Sequence, residues 1–347
     1  MPSANRKLAG ERDRIAPHLA AYDALQPSLR PYLTIGTPPN IRSRVVSTDE
    51  NGFRLSYSSA TRVDSTSWHD EAPKGLLVGS SVAFGVGATS DSRTLASLLA
   101  NATGTPFLNL GVRGANSTQE LISAIPFVGS ADMVVVVSGV NNLTAALQSL
   151  GGNELFGPFF WEGAFDQLAR WPVDALVDLI YGGEQSWGGK AARKLRLVRG
   201  AAKSVTQMTR SEIAGRSPAH QREVLVAAAE RHARDLAILA AATPPATRVV
   251  FAAQPFADAC ERAVTTEERT LFDLADAATG ARWQRVKEVL ATGWDEYVER
   301  LANSCTRLDV TFVDLAAVTF DGWCFVDRVH LTDRGHDIAA RAILEAL

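Results

Sequence analysis

Five short apolar runs, each rich in β-branched residues and each followed by small or polar residues, stand out along the chain. Runs of this kind are typical of the buried strands of a parallel sheet. Segments with helical periodicity alternate with them, which predicts βαβ units and a mainly parallel sheet. The predicted strands are Gly75–Val78, Pro106–Leu110, Met133–Val137, Arg248–Ala252 and Val310–Leu315.

The helical segments between these runs have apolar residues at intervals of three and four. One of them opens with Ser117-Thr118-Gln119-Glu120, which we interpret as a capping box with Ser117 as N-cap. The last begins with Asp333, an acidic residue near the positive end of a helix. The predicted helices are Thr94–Ala102, Leu121–Phe127, Arg222–Ala242, Trp283–Ala302 and Asp333–Leu347.

Two stretches fall outside this alternation. Residues 1–70 precede the first sheet strand, and we expect an N-terminal extension packed on the core, with two strands that turn at Asn51-Gly52. The remaining residues, 71–347, are expected to form one α/β domain. Within it, residues 145–220 interrupt the pattern after the third strand, so we predict a helical cap insertion above the carboxyl edge of the sheet.

Composition narrows the class of protein. The chain has 347 residues, of which 46% are hydrophobic and 21% charged, and a formal net charge of -3, which indicates a globular protein with no general affinity for nucleic acid or anionic membranes. Its cysteines, Cys260, Cys305 and Cys324, lack metal-ligand spacing and are expected to be reduced thiols. The first residues lack the apolar stretch of a secretory signal and no window approaches a membrane span, so a cytoplasmic location is expected.

Polar residues that suit acyl transfer follow four of the predicted strands. Ser81 follows the first strand as a candidate nucleophile. Gly114 and Asn141 follow the second and third, and offer a backbone N–H and a side-chain amide to an oxyanion. Asp327 and His330, three residues apart after the last strand, supply an orienting carboxylate and a general base. Each residue alone also suits a turn or a helix cap, and it is their common order and placement that indicates a catalytic site.

With these four segments in place, the chain resembles the SGNH or GDSL-type hydrolases. Gly79-Ser80-Ser81 is similar to the first block of that family, Gly114 to the second, Gly139-Val140-Asn141-Asn142 to the third, and Asp327 with His330 to the fifth. The resemblance covers roughly residues 75–145 and 245–347. It implies a three-layer α/β/α sandwich with a five-stranded parallel sheet in the flavodoxin-like order 2-1-3-4-5. It also implies that Ser81, Gly114 and Asn141 form the oxyanion hole.

The chain departs from the family pattern at two positions. Ser80 and Asn142 stand where the family usually has aspartates, so both replace a carboxylate by a neutral group. Ser80 is therefore kept as an alternative nucleophile. The sequence contains no P-loop and no Gly-x-Ser-x-Gly elbow, which argues against a nucleotide-binding loop and against the α/β-hydrolase fold. The histidines other than His330 have no metal-ligand spacing and are expected at the surface or at caps.

The predicted cap carries an aromatic cluster and then a basic run. Between Lys190 and Arg210 this run contains no acidic residue, so it forms either a solvated helix face or a lid that attracts an anionic substrate, with Arg193, Lys194 and Arg196 as substrate-binding candidates. The aromatic cluster, from Phe156 to Phe165, suits the core of a small cap or a platform for stacking sugars.

These observations lead to one expected function and two alternatives. We expect a serine hydrolase that cleaves a carboxylic ester, with a short acyl group on a sugar or another small hydroxylated substrate, and that needs no cofactor or metal. An acyltransferase would use the same triad with an alcohol in place of water. A binding protein that has lost catalysis is the alternative from another class, which the replacements at Ser80 and Asn142 permit and the complete triad opposes.

Overall fold

The N-terminal extension consists of short elements joined by turns. The computed structural model describes residues 10–148, 155–159, 217–279 and 281–347. Within the extension they form helix α1 (Leu19–Asp23), the hairpin of β1 (Ser28–Arg30) and β2 (Thr34–Gly36), and the hairpin of β3 (Ser56–Ser58) and β4 (Thr61–Val63).

The predicted pair of strands around Asn51-Gly52 was wrong, although the turn itself is present. Gly52 has a φ of 79°, and a single antiparallel bridge joins Thr48 to Arg54 in place of a hairpin. Arg54 also bridges to Asn109 in the central sheet, so this part of the extension pairs with the sheet edge as well as across its own turn. Covering an edge strand in this way protects it from pairing with other chains.

The central sheet has five parallel strands, as predicted. The strands are β5 (Gly75–Gly79), β6 (Phe107–Asn109), β7 (Met133–Ser138), β8 (Arg248–Ala253) and β9 (Thr311–Asp314). Their order in the sheet is β6-β5-β7-β8-β9, which is 2-1-3-4-5 when the strands of this sheet are counted along the chain. The order reverses between β5 and β7, and the carboxyl edge at such a reversal is where open α/β sheets bind ligands.

Helices cover both faces of the sheet and complete three layers. The helices are α2 (Ser81–Phe84), α3 (Leu95–Thr103), α4 (Ser117–Val128), α5 (Val140–Gln148), α6 (Pro218–Ala242), α7 (Thr266–Thr279), α8 (Ala281–Arg307) and α9 (Asp333–Ala346). On one face, α6 packs against α4, α5 and α8, and on the other α3 packs against α9. The helix α2, which follows the first strand of the sheet, has only four residues.

The capping box of α4 lies one residue earlier than predicted. Asn116, not Ser117, is the N-cap, and its side chain accepts the N–H of Gln119 while the Gln119 side chain accepts the N–H of Asn116. The Ser117 hydroxyl donates instead to Asp235 of α6 at 2.7 Å, and Glu120 is buried. Both Asn116 and Ser117 suit the N-cap position by sequence. The contact of Ser117 with α6 leaves Asn116 as the N-cap.

Most of the predicted cap, including Arg193, Lys194 and Arg196, lies outside the described residues. Its first part is helix α5, and residues 155–159 lie against the start of α4, where the Thr118 hydroxyl donates to Phe156 O at 3.0 Å. No helix in the described part of the chain is long and apolar enough to cross a membrane.

Candidate active site

The turn after β5 presents a serine at the carboxyl edge of the sheet. Gly79, the last residue of β5, has a φ of 150°, and a Cβ at this position would lie 2.1 Å from the carbonyl oxygen of Val137. Only glycine fits there, because the chain turns sharply against β7. Ser81 then becomes the first residue of α2 and keeps 9% of its surface exposed.

The structure brings Ser81, His330 and Asp327 together from opposite ends of the chain. His330 Nε2 lies 2.8 Å from Ser81 Oγ, and His330 Nδ1 lies 2.7 Å from Asp327 Oδ2. The other carboxylate oxygen, Asp327 Oδ1, accepts the backbone N–H groups of Val329 and His330, each at 2.9 Å. The carboxylate is thus fixed by its own loop, and it fixes the histidine with Nε2 toward the serine.

The surroundings of Asp327 favour its charged form. Burial raises the pKa of this carboxyl, but the neighbouring His330 and the hydrogen bonds from the His330 side chain and from the backbone N–H groups of Val329 and His330 lower it by more. The net pKa is below its usual range. An ionised Asp327 stabilises the imidazolium that forms when His330 takes a proton.

Ser80 points away from this histidine. It is 1% exposed, and its Oγ lies 3.3 Å from Oε1 of Gln254, which follows β8. His330 is bonded to the hydroxyl of Ser81. The geometry therefore favours Ser81 as nucleophile. Ser80 connects the nucleophile turn, residues 81–88, to the residue that follows β8.

The oxyanion-hole candidates Gly114 and Asn141 lie on adjoining segments at the same edge. Gly114 has a φ of 80°, in a loop whose Val112 N–H donates to Gly79 O at 3.0 Å. The Asn141 amide nitrogen donates to Ala115 O at 2.9 Å, which ties α5 to this loop. A side-chain amide nitrogen carries two hydrogens, and the bond to Ala115 O uses one of those of Asn141.

Asn142 braces the start of α4. Its Oδ1 accepts the backbone N–H of Ser117 at 2.7 Å. A neutral amide therefore serves as the acceptor at this position, and the contact does not need a carboxylate.

Sequence reasoning missed the residues that hold the loop of Asp327 and His330. Oε1 of the buried Glu268, in α7, accepts the backbone N–H groups of Cys324 and Phe325 at 2.9 and 3.0 Å. Arg328 Nη2 donates to Asp276 Oδ2 at 2.8 Å, also in α7. Among these residues, only Arg328 had a sequence signal for such a role, because it directly follows Asp327.

A buried polar cluster lies beneath Asn141 and Asn142. His232 Nδ1 lies 2.8 Å from Tyr297 Oη, which in turn lies 3.3 Å from Gly139 O. Burial raises the pKa of Glu120 to about 8, against a hydrogen bond from Ser138 that lowers it. Glu120 Oε1 has no hydrogen-bond partner among the described residues. The cluster therefore holds a carboxyl that is protonated at neutral pH.

Two histidines that were expected at the surface or at caps are buried. His232 is 2% exposed and His336 is 0% exposed, and burial lowers their pKa values to about 4 and about 3. His232 is accommodated because Tyr297 supplies a partner for its ring nitrogen. His336, in α9, is buried beside the backbone of Val86, in the turn that follows Ser81. Both are neutral near pH 7 and belong to the core.

No protein-family model and no curated protein matches this chain. Solved structures do match over most of its length. An extracellular lipase from Streptomyces rimosus is 14% identical, over 80% of this chain and 100% of the lipase chain, with a TM-score of 0.43. A carbohydrate acetylesterase family member from Sinorhizobium meliloti is 14% identical, over 78% of this chain and 95% of its own, with a TM-score of 0.39. The aryl esterase of M. smegmatis is 14% identical, over 80% of this chain and 100% of the esterase chain, with a TM-score of 0.40.

Within the fold itself, the sheet has the order 2-1-3-4-5 that the sequence resemblance implied, and Ser81, Gly114, Asn141 and His330 follow its first, second, third and fifth strands.

Proposed function

We propose that this protein is a serine hydrolase that cleaves carboxylic esters. The observation that carries the proposal is the continuous hydrogen-bonded series from Ser81 Oγ through His330 to Asp327, with distances of 2.8 and 2.7 Å, at the carboxyl edge of the sheet. A serine hydroxyl is a weak nucleophile by itself and needs a base within hydrogen-bond reach. In this series the base and its orienting carboxylate are both in place.

The reaction follows from the positions of these groups. Ser81 Oγ attacks the ester carbonyl carbon while its proton passes to His330 Nε2, and the carbonyl oxygen becomes an oxyanion held by the N–H groups of Ser81 and Gly114 and the Asn141 amide. Collapse of this intermediate breaks the ester C–O bond, and His330 returns the proton to the departing alcohol. Water, deprotonated by His330, then attacks the acyl-enzyme; the bond from the acyl carbon to Ser81 Oγ breaks, His330 returns the proton to Oγ, and the acid is released.

The proposed substrate is an ester of a short acyl group with a sugar or another small hydroxylated compound. This follows the resemblance of the chain to the SGNH hydrolases. The basic run containing Arg193, Lys194 and Arg196 remains a proposed contact for an anionic part of the substrate.

Hydrolysis of a panel of p-nitrophenyl esters and acetylated sugars tests the proposal. Ser81→Ala should lower kcat by about a millionfold, the usual effect of removing a triad nucleophile. Ser80→Ala is the matched control, because it removes the neighbouring hydroxyl, which contacts Gln254, and should keep most of the activity. Equal loss in both variants, or full activity in Ser81→Ala, would contradict the assignment. Adding an alcohol and measuring ester formation separates hydrolysis from acyl transfer.

A further inference from the structure

The nucleophile turn ends on carbonyl groups that its own helix cannot satisfy. Helix α2 has only four residues, so the carbonyl oxygens at its end need donors from elsewhere. Arg54, in the N-terminal extension, supplies them. Its Nη1 donates to Phe84 O at 3.1 Å and to Gly85 O at 2.8 Å. A residue far upstream of Ser81 therefore holds the helix that carries Ser81.

Arg54 is itself held rigidly in a buried position. Its side chain is 0% exposed, and its Nε donates to Asp91 Oδ1 at 2.8 Å. Its Nη2 donates to Val45 O at 2.5 Å, and the guanidinium lies over the Phe84 ring, 5.3 Å from the centroid. Asp91 balances the charge, which a buried cation requires. With its donors directed to several fixed acceptors, this guanidinium cannot shift without moving the turn.

Tyr22, in α1, adds a second attachment to the same turn. Its hydroxyl lies 2.8 Å from Gly85 O and 2.6 Å from Ala88 O, and it accepts a hydrogen bond from Arg54 Nη1 at 3.0 Å. Burial raises the pKa of the Tyr22 phenol, so the hydroxyl keeps its proton and remains a donor.

The same part of the extension reaches the oxyanion-hole loop. Arg113, next to Gly114, donates from Nη1 to Tyr22 O at 3.3 Å and from Nη2 to Leu25 O at 2.8 Å. Helix α1 and the residues just after it thus contact both the turn of Ser81 and the loop of Gly114.

The turn also abuts the loop that carries the base. A Cβ at Gly87 would lie 2.2 Å from Leu331 O, the carbonyl of the residue after His330. On its other side, Gly87 O lies 2.9 Å from His18 Nε2 in the extension. The turn therefore lies between the extension and the acid–base loop, residues 321–330, which carries Asp327 and His330. A shift of the turn changes the distance between Ser81 and His330.

From these contacts we propose that Arg54 and Tyr22 are positioning residues, which hold Ser81 at the distance from His330 that proton transfer needs. The inference rests on the proposed function, since it concerns the reaction of Ser81. It makes the N-terminal extension part of the catalytic apparatus. Neither residue touches the substrate in this scheme.

The test compares Arg54→Lys and Tyr22→Phe with wild-type protein. Lysine keeps the charge but cannot donate to Phe84 O, Gly85 O, Val45 O and Asp91 together. We expect kcat to fall roughly a hundredfold in Arg54→Lys, the loss that a displacement of about 1 Å brings, and about tenfold in Tyr22→Phe, with KM unchanged in both. Amide hydrogen exchange at Gly85 and Val86, whose N–H groups bond to Ser81 O, should quicken while exchange in β7 stays constant.

Ser56→Ala is the matched control. Its buried hydroxyl also donates from the extension to a backbone carbonyl, that of Phe107 in β6, away from the turn, and its loss should leave kcat unchanged. Losses in Tyr22→Phe and Arg54→Lys no greater than in Ser56→Ala, losses confined to KM, or unaltered exchange at Gly85 and Val86 would overturn the inference. A wild-type protein that hydrolyses no ester would refute the proposed function instead, and exchange would still decide whether these residues hold the turn.

Discussion

The nucleophile turn and the acid–base loop, the two halves of the candidate site, are held by side chains of opposite charge. The turn, residues 81–88, is held by the cation Arg54, whereas the loop, residues 321–330, is held by the carboxylate of Glu268. The difference follows from the backbone that each half leaves unpaired. The turn ends a helix and leaves carbonyl groups that need donors, while the loop presents the N–H groups of Cys324 and Phe325, which need an acceptor.

The two halves also obtain their support from different parts of the chain. Arg54 comes from the extension before the sheet, and Glu268 comes from α7, between β8 and β9. Each is fully buried and paired, Arg54 with Asp91 and Glu268 with Arg262. Removing one partner of such a pair costs about 3 to 5 kcal/mol, because the other charge is left buried and alone. The site therefore depends on segments that contribute no group to the chemistry.

After Ser81→Ala, the largest effect on turnover is expected from Asp327→Asn, within the acid–base loop. An amide in this position favours the wrong tautomer of His330, and kcat should fall by about ten-thousandfold. The measurement is kcat on the best ester of the panel. Asp321→Asn is the control, because Asp321 lies in the same loop with its side chain 80% exposed. This substitution should leave kcat unchanged. Substantial activity in Asp327→Asn would mean that another group orients His330.

The next largest effect is expected from Asn141→Ala, beside the nucleophile turn. Loss of one oxyanion donor should lower kcat by roughly a hundredfold to a thousandfold with little change in KM, because that hydrogen bond is strongest in the transition state. Steady-state kinetics and thermal unfolding are measured together, since Asn141 also bonds to Ala115 O. A rise in KM at constant kcat would assign the amide to substrate binding.

A smaller effect is expected from Arg328→Met, which removes one attachment of the acid–base loop to α7 and leaves that of Glu268. Burial raises the pKa of Asp276, and hydrogen bonds from Arg328 and Lys287 lower it by more, so Asp276 is charged and loses a partner in this variant. We expect the free energy of unfolding to fall by about 1 to 3 kcal/mol, together with a reduced kcat. Arg300→Met, which breaks an exposed pair with Glu296, should change little. Equal effects of the two substitutions would mean that Arg328 does not hold the loop.

The smallest effect on turnover is expected from Glu120→Gln, in the cluster beneath Asn141, but it should change how stability depends on pH. The folded protein keeps the Glu120 proton up to about pH 8, whereas the unfolded chain loses it near the ordinary pKa of 4.5. Between these values the folded state binds more protons, so its stability falls as pH rises, by about 1.4 kcal/mol per pH unit. Urea unfolding from pH 5 to 8 should show a weaker decline in Glu120→Gln. Parallel pH profiles would contradict a buried neutral Glu120.

Much of the sheet could be predicted, and so could the meeting of Ser81, Asp327 and His330 at one edge of it, because local patterns indicate where strands end. A short run of β-branched residues such as Met133–Val137 favours a buried strand, and residues that follow parallel strands meet at one edge. The supports could not be predicted in this way. An arginine is usually exposed, and the burial of Arg54 is decided by the carbonyl groups of α2 and by Asp91. Helix α7 was missed because its first turn is acidic and few of its side chains are buried.

The most direct test of the central claim is to locate the covalent adduct of a fluorophosphonate probe on wild-type protein by peptide mass spectrometry. The probe phosphonylates a serine that an adjacent base activates. The account predicts one adduct per chain, on Ser81, and none after His330→Ala. An adduct on Ser80, or no adduct on the folded wild-type protein, would contradict it.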